Sequence, residues 1–276
     1  MTSAIQTKTD RREEQLVQDI IRQAANTNEF LEHLPNKAPT QCLNDVIAEF
    51  HKVVYPFYDD CLIHTVMNDT LINDNLVNLR SKLSECEFEL EIYWAQEIAQ
   101  GRAHYTQYPY MERYHALLQS EQNHLCNIVH PESQAFCFIG SGPMPISAFE
   151  LKRSYPNVTM HGVEMDADAI ALAQQVSARS GVDVHYTQSL AEEADFAQFD
   201  VIFVASMTIN KKAVLAQIAK TAKNGTIIAV RSVERLRYML YEPVAAEMIP
   251  HNFASLGRTP YSEKHVNTTL FYRLQK

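Results

Sequence analysis

The chain has 276 residues, 46% hydrophobic and 21% charged, with a formal net charge of −9 and an isoelectric point near 5.6. That length allows one large domain or two modest ones, each able to bury a core without disulfides or metals. The acidic balance argues against nucleic acid or an anionic membrane as partner, since both need a basic face, and favours small-molecule substrates.

The five cysteines, Cys42, Cys61, Cys86, Cys126 and Cys137, are odd in number and widely spaced. Without a zinc-type spacing they read as reduced, mostly buried thiols of a cytoplasmic protein. The opening MTSAIQTKTDRREE is polar and lacks the apolar core of a signal peptide. No run approaches the length of a membrane span.

Residues 1–130 predict an all-α N-terminal cap domain. Helical spacing runs over 13–34 and 40–54, punctuated by Pro35, Pro39 and Pro56. The strongest pattern covers 74–101, where Leu76, Leu79, Leu83, Cys86, Leu90 and Tyr93 recur at intervals of three and four. Gly101 is its natural stop.

Residues 131–276 predict a Rossmann-like α/β domain, the boundary falling near 128–134. β-rich runs at 136–139, 157–163, 182–187, 201–205 and 226–230 alternate with helical patterns such as 167–180 and 211–223. Strands and helices alternating at this length form βαβ units around a parallel sheet. A last run, 268–274, follows a long connection and is expected as an antiparallel edge strand. There is no internal repeat and no low-complexity segment.

The first strand leads into FCFIGSGPMPISA, residues 136–148. Only seven glycines occur in the chain, and two of them flank Ser141. Gly140, Ser141, Gly142 and Pro143 form a turn of the kind that exposes a nucleotide site at the end of a strand. It is neither a GxGxxG nor a P-loop. About twenty residues on, the second strand ends in Glu164-Met165-Asp166, where a carboxylate can accept both ribose hydroxyls. Gln188 and Ser189 after the third strand are placed for an adenine, and Ser206 after the fourth lies beneath the cofactor. The four elements resemble the S-adenosylmethionine (SAM) domain of class I methyltransferases. A Rossmann-like domain for another nucleotide, or for none, is the competing reading.

Further pieces narrow this. FIGSGPMPIS (138–147), Arg231 followed by RYMLYEPV (237–244), HVNTT (265–269), ELEIYWAQEIA (89–99) and ERYHALLQSE (112–121) together resemble the nicotianamine synthase family. That family includes bacterial enzymes making opine-type metallophores. The resemblance implies SAM as co-substrate, transfer of its 3-amino-3-carboxypropyl (aminobutyrate) group to an amine, and methylthioadenosine as the product left behind. The acceptor would be histidine or a SAM-derived amino acid. Set beside the plant enzymes, the chain is expected to be without their extended N-terminal half, which favours a single transfer to histidine. Nicotianamine synthesis proper, by repeated condensation, and ordinary methyl transfer are the alternatives. The sulfonium activates both carbons, so the outcome depends on which one the site aligns with the amine.

An amine attacks only when deprotonated, which requires a base or a desolvated pocket. Glu91 matches the family's functional glutamate, and Glu87, Glu91, Trp94 and Ile98 form a second stripe on their helix. A carboxylate at the edge of a buried face can have a raised pKa. The alternative is a solvated helix carboxylate. Tyr114 matches a family tyrosine at the reaction centre, where it would orient the amine or the aminobutyrate; the plain alternative is an aromatic anchor. Tyr108 and Tyr110 read as packing or pocket wall, with Tyr110 on the substrate side. Arg231, at the end of a strand, is placed to bind a substrate α-carboxylate in two-pronged fashion. Asn267 would hold a carboxylate or amino group, or open the last strand as a turn residue. Arg237 also matches, in a helical run where a salt bridge is equally plausible.

Two departures border the expected pocket. Gln188 stands where the archaeal-type motif is acidic, and SVERL (232–236) replaces a smaller, Gly-containing segment. Both bear on substrate identity more than on SAM binding. The eleven histidines share no chelating spacing, so no catalytic metal is expected. A paired helical cap would make a homodimer, though nothing in the sequence requires one.

Overall fold

Helices occupy the chain as far as Leu125 and the first strand begins at Ala135, in a computed structural model that describes residues 2–34, 40–130 and 132–276 and the side chains from residue 12 onward. The expected breaks at Pro35 and Pro39 lie outside the described residues. Contacts divide the chain into two units, one running to Glu89 and taking in Glu234–Glu242, the other comprising Leu90–Val233 and Pro243–Lys276.

The first unit holds α1 (Thr2–Glu32), α2 (Gln41–Val54), α3 (Asp60–Met67) and most of α4 (Thr70–Ala99). Thr40 caps α2 by accepting the Leu43 amide, and Asp59 caps α3 by accepting that of Leu62. Ile20, Leu31, Phe50, Val54 and Val66 are buried in it. The eight-residue α3 is too short for its period to stand out in the sequence. The returning segment forms a 3-10 helix, Arg235–Met239. Arg237 is fully buried there, donating to the Tyr55 carbonyl at 3.1 Å.

Arg235 adopts φ +60°, a left-handed backbone that favours glycine. Here an arginine holds the turn: its Nη1 donates to the Tyr58 carbonyl at 2.6 Å and to Asp60 Oδ1 at 3.1 Å. Its guanidinium lies 3.9 Å from the Phe57 ring centre.

The second unit is built on a seven-stranded sheet of order β3-β2-β1-β4-β5-β7-β6. Strands β1 (Ala135–Ile139), β2 (Thr159–Glu164), β3 (His185–Gln188), β4 (Val201–Val204) and β5 (Ile227–Ser232) are parallel. Helices α6 (Ile146–Ser154), α7 (Ala167–Ser180) and α8 (Lys211–Thr221) connect β1 to β2, β2 to β3 and β4 to β5, whereas β3 runs to β4 without the expected helix. The central strands are apolar and buried, as in sheets covered on both faces.

The closing strand β7 (Thr268–Leu274) is antiparallel as expected, but it is not an edge. It lies between β5 and β6 (Phe253–Arg258). The sequence hides β6 because its burial is confined mainly to Phe253, and the ladder is irregular between Ser255 and Gly257.

The division also falls inside α4 rather than near residues 128–134. Leu90, Ala95 and Ile98 of α4, with Met111, Leu118 and Leu125 of α5 (Met111–Leu125), share one apolar cluster with Phe136, Phe138 and Phe149. Their burial joins these helical residues to the sheet. The thiols differ from expectation too: all five are free, but only Cys86 and Cys137 are buried. Among the described residues, no helix is long and apolar enough to cross a membrane.

Candidate active site

At the end of β1 the chain turns through Gly140 at φ +73° and Gly142 at φ +62°. Side chains crowd both positions. A Cβ on Gly140 would sit 3.0 Å from Thr208 Oγ1, and one on Gly142 would sit 2.9 Å from Glu91 Oε2. Only glycine meets the backbone conformation and the close approach together. Ser141 and Pro143 are buried beside them. The Ser141 hydroxyl has no hydrogen-bond partner among the described residues.

Glu164 fixes the turn from the end of β2. Its Oε2 accepts the Gly142 amide at 3.0 Å, and its Oε1 accepts the amides of Met165 at 2.8 Å and Asp166 at 3.2 Å. A carboxylate has about four lone-pair sites, so three amides leave acceptor capacity for a ribose hydroxyl. Gln188 pairs with Glu164 across β2 and β3, and its Nε2 lies 3.5 Å from the Met165 carbonyl. The Ser189 amide donates to the Glu164 carbonyl at 3.0 Å, and its hydroxyl to that of Leu190. Met165 is half exposed. The register of two parallel strands thus gathers Gly142, Glu164, Met165, Gln188 and Ser189.

The second cluster comes from α4 and α5. Glu91 is only 6% exposed, which disposes of the solvated-carboxylate reading. The Tyr114 hydroxyl donates to Glu91 Oε1 at 3.3 Å. Tyr108 packs edge-on against Trp94, Tyr110 and Tyr114, at ring separations of 6.1, 5.7 and 6.1 Å. Arg113 lies over the Tyr110 ring. Tyr114 therefore links this aromatic cluster to a buried carboxylate that approaches the glycine turn and can accept the proton of an amine.

Residues at the other strand ends form a third group. Asn267 donates its amide to Ser206 Oγ at 2.7 Å and to the Ser232 carbonyl at 3.4 Å. Lys211, buried at the start of α8, donates to the Ser206 carbonyl at 2.5 Å. Thus Asn267 and Ser206 are brought together, and both are tied to the ends of β4 and β5.

Arg231 departs from expectation. A carboxylate does meet its guanidinium in two-pronged fashion, but that carboxylate belongs to Glu121. Nε and Nη2 donate to Oε1 and Oε2 at 2.9 and 3.0 Å, with both residues buried. Thr269 Oγ1 adds a third bond to Glu121 at 2.6 Å. Arg231 also stacks over Phe138, 5.0 Å from the ring centre.

The sequence reading missed Glu121, Lys211 and Thr208. Glu121 carried one signal, a position seven residues after Tyr114 and so on the same helix face. Among the described residues, no group of three or more His, Cys, Asp or Glu side chains is arranged to hold a metal.

Residues 9–276 match the family model described as nicotianamine synthase protein. The chain is 24% identical to nicotianamine synthase 2 of Arabidopsis thaliana, over 92% of this chain and 83% of that one. It is 26% identical to nicotianamine synthase 9 of Hordeum vulgare, over 86% and 72% respectively. Among solved structures it is similar to MtNAS in complex with MTA and tNA, with a TM-score of 0.81, 23% identity and coverage of 94% and 98%. A Glu-to-Gln variant of MtNAS in complex with S-adenosylmethionine gives a TM-score of 0.77 at 22% identity, with coverage of 93% and 98%. The chain belongs to the nicotianamine synthase family.

Proposed function

We propose that this chain transfers the 3-amino-3-carboxypropyl group of SAM to the amine of histidine, releasing methylthioadenosine, in the making of an opine-type, nicotianamine-like metallophore. The observation that carries the transfer is Glu91: buried, hydrogen-bonded by Tyr114, and within contact distance of Gly142. The amine lone pair attacks Cγ of SAM, the Cγ–S bond breaks with its electrons going to sulfur, and Glu91 takes the proton from the ammonium formed. Tyr114 orients Glu91 and the amine. The turn Gly140–Pro143 and Glu164 hold the ribose and the methionine arm, with Met165, Gln188 and Ser189 along the adenine. Ser206 lies beneath the cofactor, and Tyr110 and Asn267 lie on the substrate side. SAM as co-substrate is supported by family membership and by the MtNAS relatives solved with SAM or MTA.

Histidine as acceptor follows the resemblance to the bacterial metallophore enzymes; the departures at Gln188 and at SVERL border the pocket and bear on which amine is accepted. A second reading, condensation of several SAM units, is favoured by the likeness to plant nicotianamine synthases and by the MtNAS complex with tNA. Incubation with SAM alone, with L-histidine or with D-histidine, followed by mass spectrometry, separates them. An aminobutyrate adduct of histidine is expected. Condensed SAM units without histidine would favour the second reading. S-adenosylhomocysteine with a methylated acceptor would overturn both.

A further inference from the structure

Two histidines far apart in sequence stand side by side on the sheet. His161 of β2 and His185 of β3 are direct partners in the parallel register. Cys137 of β1 continues the row on the same sheet face, where it packs with Ile202 and Ile228. That face is opposite to the one carrying Phe136, Phe138 and the residues of α4. The imidazole centroids are 5.2 Å apart with their planes inclined at 40°. Phe199 packs against the His161 ring at 5.1 Å and 65°. No hydrogen bond from the described residues reaches any of the four ring nitrogens.

We propose that His161 and His185 form a two-imidazole site for a divalent transition ion of the zinc class, away from the Glu91 cluster. The spacing carries the inference. Two imidazoles sharing a tetrahedral ion at Zn–N distances of about 2.1 Å place their ring centres about 5.2 Å apart, each nitrogen being about 1.1 Å from its own ring centre. The observed separation, 5.2 Å, lets both rings reach one ion. Metal binding needs neutral imidazole. His185 is exposed and opens the site to solvent, which fills the remaining coordination positions with water. Cys137, next in the row, is buried in the apolar cluster with Ile202 and Ile228.

Zinc chloride titrated calorimetrically into the full chain at pH 7.5 tests this. The exposed thiols of Cys42, Cys61 and Cys126 are alkylated first so that they do not compete. One ion per chain is expected. Losing a direct ligand in His185→Asn should weaken binding at least ~10-fold, since even outer partners of a metal site contribute that much. His185 lies at the surface, so this variant keeps its fold. In the wild type, zinc should move the NMR ring signals of His161 and His185 before those of other histidines. Equal affinity in wild type and His185→Asn, or zinc shifts confined to other histidines, would overturn the site.

Discussion

Gly142 and Glu91 constrain each other. The glycine takes φ +62°, and a methyl group there would enter the space of Glu91 Oε2. Gly142→Ala therefore strains the backbone by about 1–2 kcal/mol and displaces the carboxylate. Methylthioadenosine release should fall by about 100-fold, the scale of a 1 Å misplacement of a reacting group. Glu91→Gln keeps the shape and removes the proton acceptor. It should cut turnover by roughly 10²–10⁴ while SAM binding, followed by calorimetry, is retained. Unchanged turnover in Glu91→Gln would remove Glu91 from this role. The sequence could place Glu91 on a second stripe of α4 because helical period reveals faces. It could not reveal what covers that face, which is α5 and a turn some fifty residues downstream.

At the scale of elements, α5 is held at two points on one face. Tyr114 reaches Glu91, and Glu121, two turns later, is locked to Arg231 at the end of β5 and to Thr269 of β7. Arg231→Met leaves the Glu121 carboxylate buried without its counter-charge, which should cost about 3–5 kcal/mol in denaturant unfolding. Replacing both partners by apolar residues of similar volume should recover most of that loss. If Arg231→Met unfolds like the wild type, the pair does not fasten the helix. The strand-end position of Arg231 was legible from the β-rich run before it. Its partner was not, because the two residues are 110 positions apart and only the fold brings them together. The same holds for the β6 edge, which lacks the apolar run that marked the parallel strands.

For the whole molecule, the βαβ alternation made the parallel sheet legible, since the buried strands need apolar runs and all but the β3–β4 crossover carry a helix. The domain boundary was less so, because α5 and the end of α4 read as helix whether they join other helices or cover a sheet. What no pattern reveals is the pH response, which depends on charges that meet only in the fold. Asp200 is partly buried, which alone would raise its pKa. Hydrogen bonds from Lys223 and from the Ala135 and Gln134 amides outweigh this and hold it below the ordinary 3.8. His161 is held below the ordinary 6.5 by burial and by His185. A group with a depressed folded pKa stabilises the fold above its unfolded pKa, and that contribution is lost as pH falls through the folded value. Stability should therefore decline in two stages on acidification, first below about 6.5 as His161 protonates and then below about 3.8 as Asp200 does. The alkaline side has the opposite sign. Burial, with Glu150 beside it, pushes Tyr105 up from 10.0 to about 12, so its contribution is complete below pH 10 and lost as pH rises through the folded value. Melting temperatures across pH should show a plateau between the His161 and Tyr105 limbs. His161→Asn should remove the upper acid step and Asp200→Asn should flatten the lower one while lowering the plateau. An acid profile that Asp200→Asn leaves unaltered would mean that the link from β1 through Asp200 to Lys223 contributes nothing to holding the sheet together.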